Sequence, residues 1–455
     1  MKFYEVDSCY TQRVAPIISI RLNHISNLNG SPSWLMLRSL TGIMAATPKR
    51  VLIPKNGVDY RGKIVLAPMV RSGELPSRLL ALKYGADLAW GPETVDRSMI
   101  GTTKRFNPVT STIDFTRPPS NSGRAQNITQ KDSLIYRLHP IREHGKLIFQ
   151  MGTASPTTAV EAAKLVAGHV SGIDVNAGCP KAFSTSGGMG AALLQTPDLL
   201  ASILTALVKE VGEVFEIGIS VKIRLLETPK KTEALVRKLC STGITGLTIH
   251  CRTTPMRPRE RAIREQLRMI GEICREEGVA CLMNGDIRNR DEAVQLAQEY
   301  GVDGGMIATA AEANSSCFRT DAGGGLLPWR EVVTEYMKIA LDVDNKWGNT
   351  KFLLSQLMPG KAEVFRKVTA CHGYRQVCEV LELDDLLDLA KEVDERLGIN
   401  EQKETKAMKK AKYQNRTAQA AGGNMSSQRS MDREKRSPLS ERGVGANLAV
   451  PAMAV

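Results

Sequence analysis

The stretch GIDVNAGCPKAFSTSGGMGAALL, residues 172–194, decides how this chain is read. Ile173 and Val175 alternate with Asp174 and Asn176, as at the end of a buried strand. The run breaks at Gly178-Cys179-Pro180, which puts the cysteine on a turn and not inside a regular element. Gly187, Gly188 and Gly190 follow and let the backbone approach a ligand or another segment closely. A helix-like run then covers 191–204. A strand, a turn with one thiol, a Gly-rich loop and a helix place that thiol at the C-terminal end of a strand. In an α/β barrel that is where chemistry is done. The competing reading is a buried small residue, because free cysteine is among the most buried side chains.

The same rhythm extends in both directions. Apolar runs occur at 63–69 (KIVLAPM), 87–91 (DLAWG), 146–151 (KLIFQM), 172–176 (GIDVN), 219–224 (ISVKIR), 246–251 (GLTIHC), 280–286 (ACLMNGD) and 304–309 (GGMIAT). Helical patterns lie between most of them, at 75–84, 156–170, 197–211, 231–242, 264–277 and 290–300. Eight strands alternating with helices is the count of a (β/α)8 TIM barrel. A doubly wound open sheet is the alternative, and it is disfavoured because no G-x-G-x-x-G follows the first strand. The second connection, 96–143, is long and rich in Arg and Lys, and reads as a cover over part of the barrel mouth.

Polar side chains gather where these strands end: Gln150 on the third, Asn176 on the fourth, Lys222 on the fifth, His250 and Arg252 on the sixth, Asn284, Gly285 and Asp286 on the seventh. Such groups are costly inside apolar strands unless paired or used. One of them alone reads as a satisfied core residue. Five such strand ends describe a polar ligand lying across the C-terminal mouth. The loops after strands seven and eight are the usual phosphate site of a barrel. Here they offer Asn284-Gly285-Asp286 and the Gly304-Gly305 strand leading to Ala308-Thr309, so a phosphorylated cofactor is the expected guest.

Composition narrows the classes. The chain has 455 residues and a formal net charge of +13, which makes a polyanionic partner plausible without requiring one. Nine cysteines without a C-x-x-C pair, and only six histidines, give neither a disulfide framework nor a zinc ligand set, and imply reduced, intracellular thiols. No apolar run reaches the roughly 18 residues of a membrane span. Residues 1–43 carry Lys2, Arg13, Arg21 and Arg38 against Glu5 and Asp7. That fits a mitochondrial transit segment, or an extension upstream of a start at Met44. Otherwise a cytoplasmic or nuclear location is expected.

At the motifs APMVRSGELPSRLLALKYGAD (67–87), FQMGT (149–153), the 172–194 stretch itself, VKIR (221–224), IHCRT (249–253) and NGDI (284–287), the chain resembles the tRNA-dihydrouridine synthases, most of all the fungal type that modifies position 20 of the D-loop. The resemblance covers about 63–361. Asn176-Ala177-Gly178-Cys179-Pro180-Lys181 is its specific marker, whereas APMV or VKIR alone would be weak.

The resemblance implies FMN in the barrel, NADPH or NADH as reductant, and reduction of the uridine C5–C6 double bond in tRNA. Hydride goes from flavin N5 to C6, and a proton goes to C5 from the opposite side. Cys179 matches the catalytic cysteine; a thiol of pKa about 8.5 is mostly protonated at neutral pH, as a proton donor must be. Pro68, Met69 and Val70 match the segment against the flavin ring, and Gln150, Lys222 and His250 match flavin-contacting positions. Asn284, Gly285, Asp286, Ala308 and Thr309 fall on the phosphate loops. Asn176, Lys181 and Arg252 are the substrate-binding candidates. No metal is implied, and a monomer is expected.

One departure stands out. Thr309 occupies a position where the family usually has Arg, which removes a charge-assisted contact to the phosphate and implies weaker FMN retention. The stretch 312–327, with Gly323-Gly324-Gly325, also departs from the family's more regular segment. Uridine in folded tRNA reaches a buried cofactor only when turned out of its stack, which calls for positive surface at the mouth. The loop after the sixth strand supplies Arg252, Arg257, Arg259, Arg261 and Arg264; a solvated charge run is the alternative, and their place beside the site favours an RNA role.

Helical patterns at 329–341, 351–358, 361–371 and 383–397 resemble the family's C-terminal tRNA-gripping domain, with Cys371 and Cys378 as core thiols. The organisation expected is an extension (1–43), an FMN-binding barrel (44–326), a helical domain (327–399) and a disordered basic tail (400–455). From residue 401 onward eleven basic residues stand against five acidic ones. Two other functions stay open: an FMN dehydrogenase acting on a free pyrimidine, and a tRNA-binding relative with a degraded flavin site.

Overall fold

The computed structural model describes residues 53–118 and 132–399. The extension 1–43, the tail 400–455 and the middle of the 96–143 connection lie outside the described residues. The strands are β1 (Ile64–Leu66), β2 (Leu88–Trp90), β3 (Thr94–Val95), β4 (Thr103–Asn107), β5 (Thr112–Arg117), β6 (Ser133–Leu138), β7 (Leu147–Gly152), β8 (Gly172–Ala177), β9 (Gly218–Leu225), β10 (Gly246–Thr253), β11 (Ala280–Asn284) and β12 (Gly304–Ile307). All strand pairs in the main sheet are parallel, in the order β2-β1-β12-β11-β10-β9-β8-β7-β3. A further parallel pairing of β2 with β7 (Ala89 with Leu147, Trp90 with Ile148) closes the ring. The fold is therefore an eight-stranded TIM barrel, with β3 as a short addition beside β7.

Helices α1 (Leu75–Lys83), α2 (Asp96–Met99), α3 (Pro156–Val166), α4 (Ala182–Thr185), α5 (Pro197–Leu207), α6 (Glu213–Phe215), α7 (Pro229–Cys240), α8 (Leu267–Glu277), α9 (Arg290–Tyr300) and α10 (Thr309–Ala313) fill the connections. Their starts follow local chemistry. Proline at the first turn of α1, α3, α5 and α7 costs no hydrogen bond there, and Thr228 and Asn289 cap α7 and α9 through their side-chain oxygens. The helix expected at 191–204 differs: Gly190–Gln195 is a 3-10 turn, and the α-helix begins only at Pro197. Thr309 opens α10 and does not extend β12, and Asp286 lies beyond β11 in a left-handed conformation (φ 51°).

The bottom of the barrel is plugged by Tyr60, whose ring packs on Trp90 with centroids 5.7 Å apart. A Cβ at Gly246 would come within 2.6 Å of that ring, so this strand must start on glycine. Val65, Leu88, Trp90, Ile148, Leu282 and Met306 complete an apolar plug in the lower half. The polar residues are thereby confined to the upper half.

The 96–143 connection is not a plain loop. It contains β3, α2 and an antiparallel sheet in the order β4-β5-β6. Arg137 of this sheet donates to Asp114 at 2.6 Å and to the carbonyl of Val343 at 2.5 Å. The sheet is thus tied to the helices that follow the barrel: α11 (Trp329–Asp342), α12 (Trp347–Leu357), α13 (Glu363–Ala370), α14 (Tyr374–Leu381) and α15 (Leu387–Arg396). These five share a core with Leu75, Leu79 and Leu80 of α1, and Cys371 and Cys378 are buried in it. α14 was absent from the sequence expectation, because its short 374–381 pattern ran into the neighbouring helix.

Arg78 of α1 holds the barrel, sheet and loop together. Its side chain is 1% exposed and meets Glu143, 2% exposed, at 2.6 Å, and it also donates to the carbonyls of Gly73 and Arg137. Removing one partner of a buried pair strands the other's charge. Arg78→Ala is expected to lose about 3–5 kcal/mol of stability in urea unfolding; a loss below about 1 kcal/mol would show that Glu143 finds water or another partner.

Candidate active site

The strand ends open into a cavity of about 410 Å3. Pro68, Met69 and Val70, directly after β1, line it together with Gln150, Asn176, Cys179, Lys181, Lys222 and His250. Nine of the residues singled out in the sequence are therefore brought together. A larger hollow of about 840 Å3 lies elsewhere, between β6 and the 344–349 segment, and contains none of these strand-end residues.

Cys179 is held on a built turn. The Asn176 side-chain oxygen accepts from the backbone N–H of Gly178 (3.0 Å) and of Cys179 (3.1 Å). Arg224 Nε donates to the carbonyl of Gly178 at 2.6 Å, and its Nη1 to the carbonyl of Thr253 at 3.1 Å. Ala191 N–H donates to the carbonyl of Cys179 at 2.9 Å. Gly190 (φ 58°) is required here, because a Cβ would strike Ser184 and lie 2.6 Å from the Cys179 carbonyl oxygen. Cys179 is half-buried, whereas the seven other described cysteines are buried. Burial pushes its thiol up, opposed by the backbone N–H of Lys181; Glu93 adds to the rise, and Lys181 and Arg224 oppose it. This thiol is tuned to keep its proton, the opposite of an activated nucleophile.

The floor is a polar layer set by strand register. Gln150 pairs with Asp174 across β7 and β8, and Asp174 with Ser220 across β8 and β9. Asp174 is fully buried and accepts from Gln150 Nε2 (2.8 Å) and Ser220 Oγ (2.7 Å). Lys222 Nζ donates to Asn284 Oδ1 at 3.0 Å. Burial pushes the Lys222 ammonium down to about 8, with Arg224 adding to the shift and Asp174 opposing it. His250 falls to about 2, first through burial and then through Lys222, Arg224 and Arg252. It is therefore a neutral hydrogen-bonding ring at neutral pH, not a cation.

The remaining expected residues sit beside the cavity and do not line it. Asn284 reaches it through Lys222. The Asp286 carboxylate is taken by Arg252 Nη2 (2.5 Å) and the N–H of Ala262 (2.7 Å). Arg252, 5% exposed, also donates to the carbonyls of Pro258 and Glu260. It braces the loop after β10, on which Arg257, Arg259 and Arg261 are exposed. Arg264 donates to the carbonyls of Gly285 and Asp286. Gly285 (φ 125°) lies against His250 and Arg252: its Cβ position is 3.5 Å from His250 Cδ2 and 3.6 Å from Arg252 Nη1. Ala308 and Thr309 mark the passage from β12 into α10.

Several cavity residues escaped the sequence reading. Glu93 comes from the loop between β2 and β3, Phe183 from α4, and Phe352 and Gln356 from one face of α12, four residues apart. Arg71 stacks on Phe352, its guanidinium carbon 4.2 Å from the ring centroid, from a left-handed backbone (φ 72°). Arg224 was within reach, since VKIR places it two residues beyond Lys222 on the same strand face. Glu93 and α12 had no such signal.

Lys222 supplies a direct test of the floor. Its ammonium is protonated at pH 7 in both the folded and unfolded chain, but burial disfavours it only in the fold. The unfolded chain therefore binds more protons between about pH 8 and roughly 10.4, and stability rises with pH across that window. Ligand-free Lys222→Met is expected to be more stable than the parent by roughly 1–3 kcal/mol at pH 7, with the gain shrinking above pH 8. Urea unfolding at several pH values reads this; a gain that stays constant with pH would mean that packing, not charge, is responsible.

Comparison with known proteins agrees with the geometry. A family model described as dihydrouridine synthase (Dus) matches residues 65–379. A Schizosaccharomyces pombe protein named tRNA-dihydrouridine(20) synthase is 50% identical over 313 residues, which is 68% of this chain and 62% of that protein. A Saccharomyces cerevisiae protein of the same name is 46% identical over 329 residues, 71% of this chain and 84% of that protein. The S. cerevisiae tRNA-dihydrouridine(20a/20b) synthase is 26% identical over 282 residues, 62% of this chain and 68% of that protein. The chain thus spans less than two thirds of the S. pombe relative's length but most of the first S. cerevisiae one. With a thiol on a strand-end turn over a buried cation, and a family match running through the whole barrel, the chain belongs to the dihydrouridine synthase family.

Proposed function

We propose that the protein reduces the C5–C6 double bond of a uridine in the tRNA D-loop, at position 20, to dihydrouridine, with FMN in the barrel and NADPH or NADH as electron source. The observation that carries this reading is the juxtaposition of Cys179, kept protonated, with the Lys222 floor in one cavity. The position-20 assignment follows the names of the two fungal relatives.

The donor set fits a flavin. Lys222 is a cation disfavoured by burial, with Asn284 as its one direct hydrogen-bond partner among the described residues, and it gains most from a ligand carrying negative charge. Pro68, Met69 and Val70 would lie against the ring, with Gln150, Lys222 and His250 at its polar edges. Asn284, Gly285, Asp286, Ala308 and Thr309 would carry the phosphate. Because the Asp286 carboxylate is already engaged with Arg252, this loop would contribute backbone N–H groups there. Thr309 offers a hydroxyl where the family's usual Arg would offer a charge, so FMN is held less tightly.

When bound, the flavin supplies the hydride that adds to C6. The chain's own residues do the rest. Asn176 and Arg224 fix the turn, Cys179 Sγ gives its proton to C5, and Asn176 and Lys181 orient the uracil, with Arg252 bracing the loop beside it. Arg257, Arg259 and Arg261 and the helical domain 327–399 grip the tRNA while the base is turned out of its stack.

The test is dihydrouridine formation in tRNA incubated with purified protein, FMN and NADPH, beside Cys179→Ala. The parent is expected to form product, and the variant to lose about 10²–10⁴-fold in rate. Turnover of free uracil but not tRNA would redirect the reading to a pyrimidine dehydrogenase. Binding of tRNA without product even in excess FMN would make the protein a non-catalytic relative, with the Thr309 replacement as the first suspect.

A further inference from the structure

Among the described residues two carboxylates line the cavity without a task in the mechanism above, Glu312, which accepts from Ser72, and Glu93, the one whose charge acts on Cys179. Three separate elements build its socket. The end of β7 is Gly152, where a Cβ would lie 2.5 Å from Glu93 Oε1, so only glycine leaves room for the carboxylate. Ser184 of α4, completely buried, donates to Glu93 Oε1 at 2.9 Å. Ser184 is itself pinned under Gly190, against the segment that carries the Cys179 carbonyl. Asn176 and Cys179 line the same cavity, near enough to the carboxyl to bear on its proton affinity. No basic side chain among the described residues forms an ion pair with it. A carboxylate placed on the wall of a reaction cavity, against a thiol and without a counter-ion, calls for a reason.

We propose that Glu93 is the proton relay of Cys179, returning a proton to the sulfur after each transfer to the pyrimidine. The inference rests on the reading of Cys179 as the acid. The steps balance. As hydride arrives at C6, the Cys179 S–H bond breaks and a C5–H bond forms, leaving a thiolate. The Glu93 O–H bond then breaks and the S–H bond re-forms, leaving a carboxylate that takes its next proton from water in the open cavity. The direction is downhill, because a thiol binds its proton more tightly than a carboxyl group does. Burial raises the Glu93 carboxyl above its ordinary range, opposed by the Ser184 hydrogen bond and by the nearby Asn176 and Cys179 side chains, so the donor form is more populated than on a surface. The other charged groups near the sulfur are Lys181, Lys222 and Arg224, with neutral His250 across the cavity. Lys181 and Arg224 favour the thiolate, and Glu93 opposes them.

Two readouts test this on the full chain, with Glu93→Gln and, should that variant not fold, Glu93→Ala, both of which remove the carboxyl. The first needs no cofactor or RNA: the pH dependence of iodoacetamide labelling of Cys179, followed by peptide mass spectrometry. Loss of the neighbouring negative charge is expected to move the labelling midpoint down by about one pH unit. The second uses NADPH-reduced, FMN-loaded enzyme and excess tRNA. The first turnover, which uses the proton already on sulfur, is expected to stay within a few-fold of the parent, and later turnovers to slow at least about tenfold. An unchanged labelling profile, or equal loss in first and later turnovers, overturns the relay. If the parent itself makes no dihydrouridine, the reading of the function fails, whereas the labelling shift still reports whether Glu93 governs the thiol.

Discussion

Asp174 lies fully inside the barrel and Lys222 on the cavity floor, where an unsatisfied charge costs several kcal/mol, and the strands around them are arranged to meet that cost. Gln150 and Ser220 satisfy the aspartate from the strands on either side. Asn284 receives the lysine. These contacts need β7, β8, β9, β10 and β11 in one register, because a slip by one residue would turn each side chain to the other face. The Tyr60 plug below and the polar layer above divide the barrel into a half that stabilises and a half that reacts.

The polar layer also explains how the loops are used. Asn176 spends its side-chain oxygen, and Arg224 its guanidinium Nε, on the turn that presents Cys179. Arg252 spends most of its own on the loop after β10 and on Asp286. These are positioning contacts, and they free Lys222, His250 and Cys179 to face a ligand. The helical region contributes a wall as well as a surface, since Phe352 and Gln356 of α12 complete the cavity. α12 therefore belongs both to the helical region and to the cavity wall.

Much of this was legible in the chain. Apolar runs at 63–69 through 304–309 announced eight strands because each is buried on both faces and reads as continuous hydrophobic sequence. The polar strand ends stood out against that background, and nine expected residues line one cavity. The antiparallel sheet was missed for the converse reason. Its first strand, Thr103–Asn107, is largely exposed and reads Thr-Lys-Arg-Phe-Asn, with no buried face to impose a pattern. The 191–204 run read as one helix because its apolar spacing is continuous, but the packing of the 3-10 turn against the Cys179 carbonyl interrupts it.

The sequence alone determined the barrel, the thiol on its turn and the ring of polar strand ends, because burial and periodicity act on neighbouring residues and leave a local trace. Only the tertiary structure decided that Glu93 would meet Ser184 ninety-one residues away, and that α12 would reach back to the mouth. It also decided that Arg252 would be consumed by Asp286. Those outcomes depend on ring closure and on the approach of distant glycines, Gly152 and Gly190, whose missing side chains matter only once another segment arrives to fill the space.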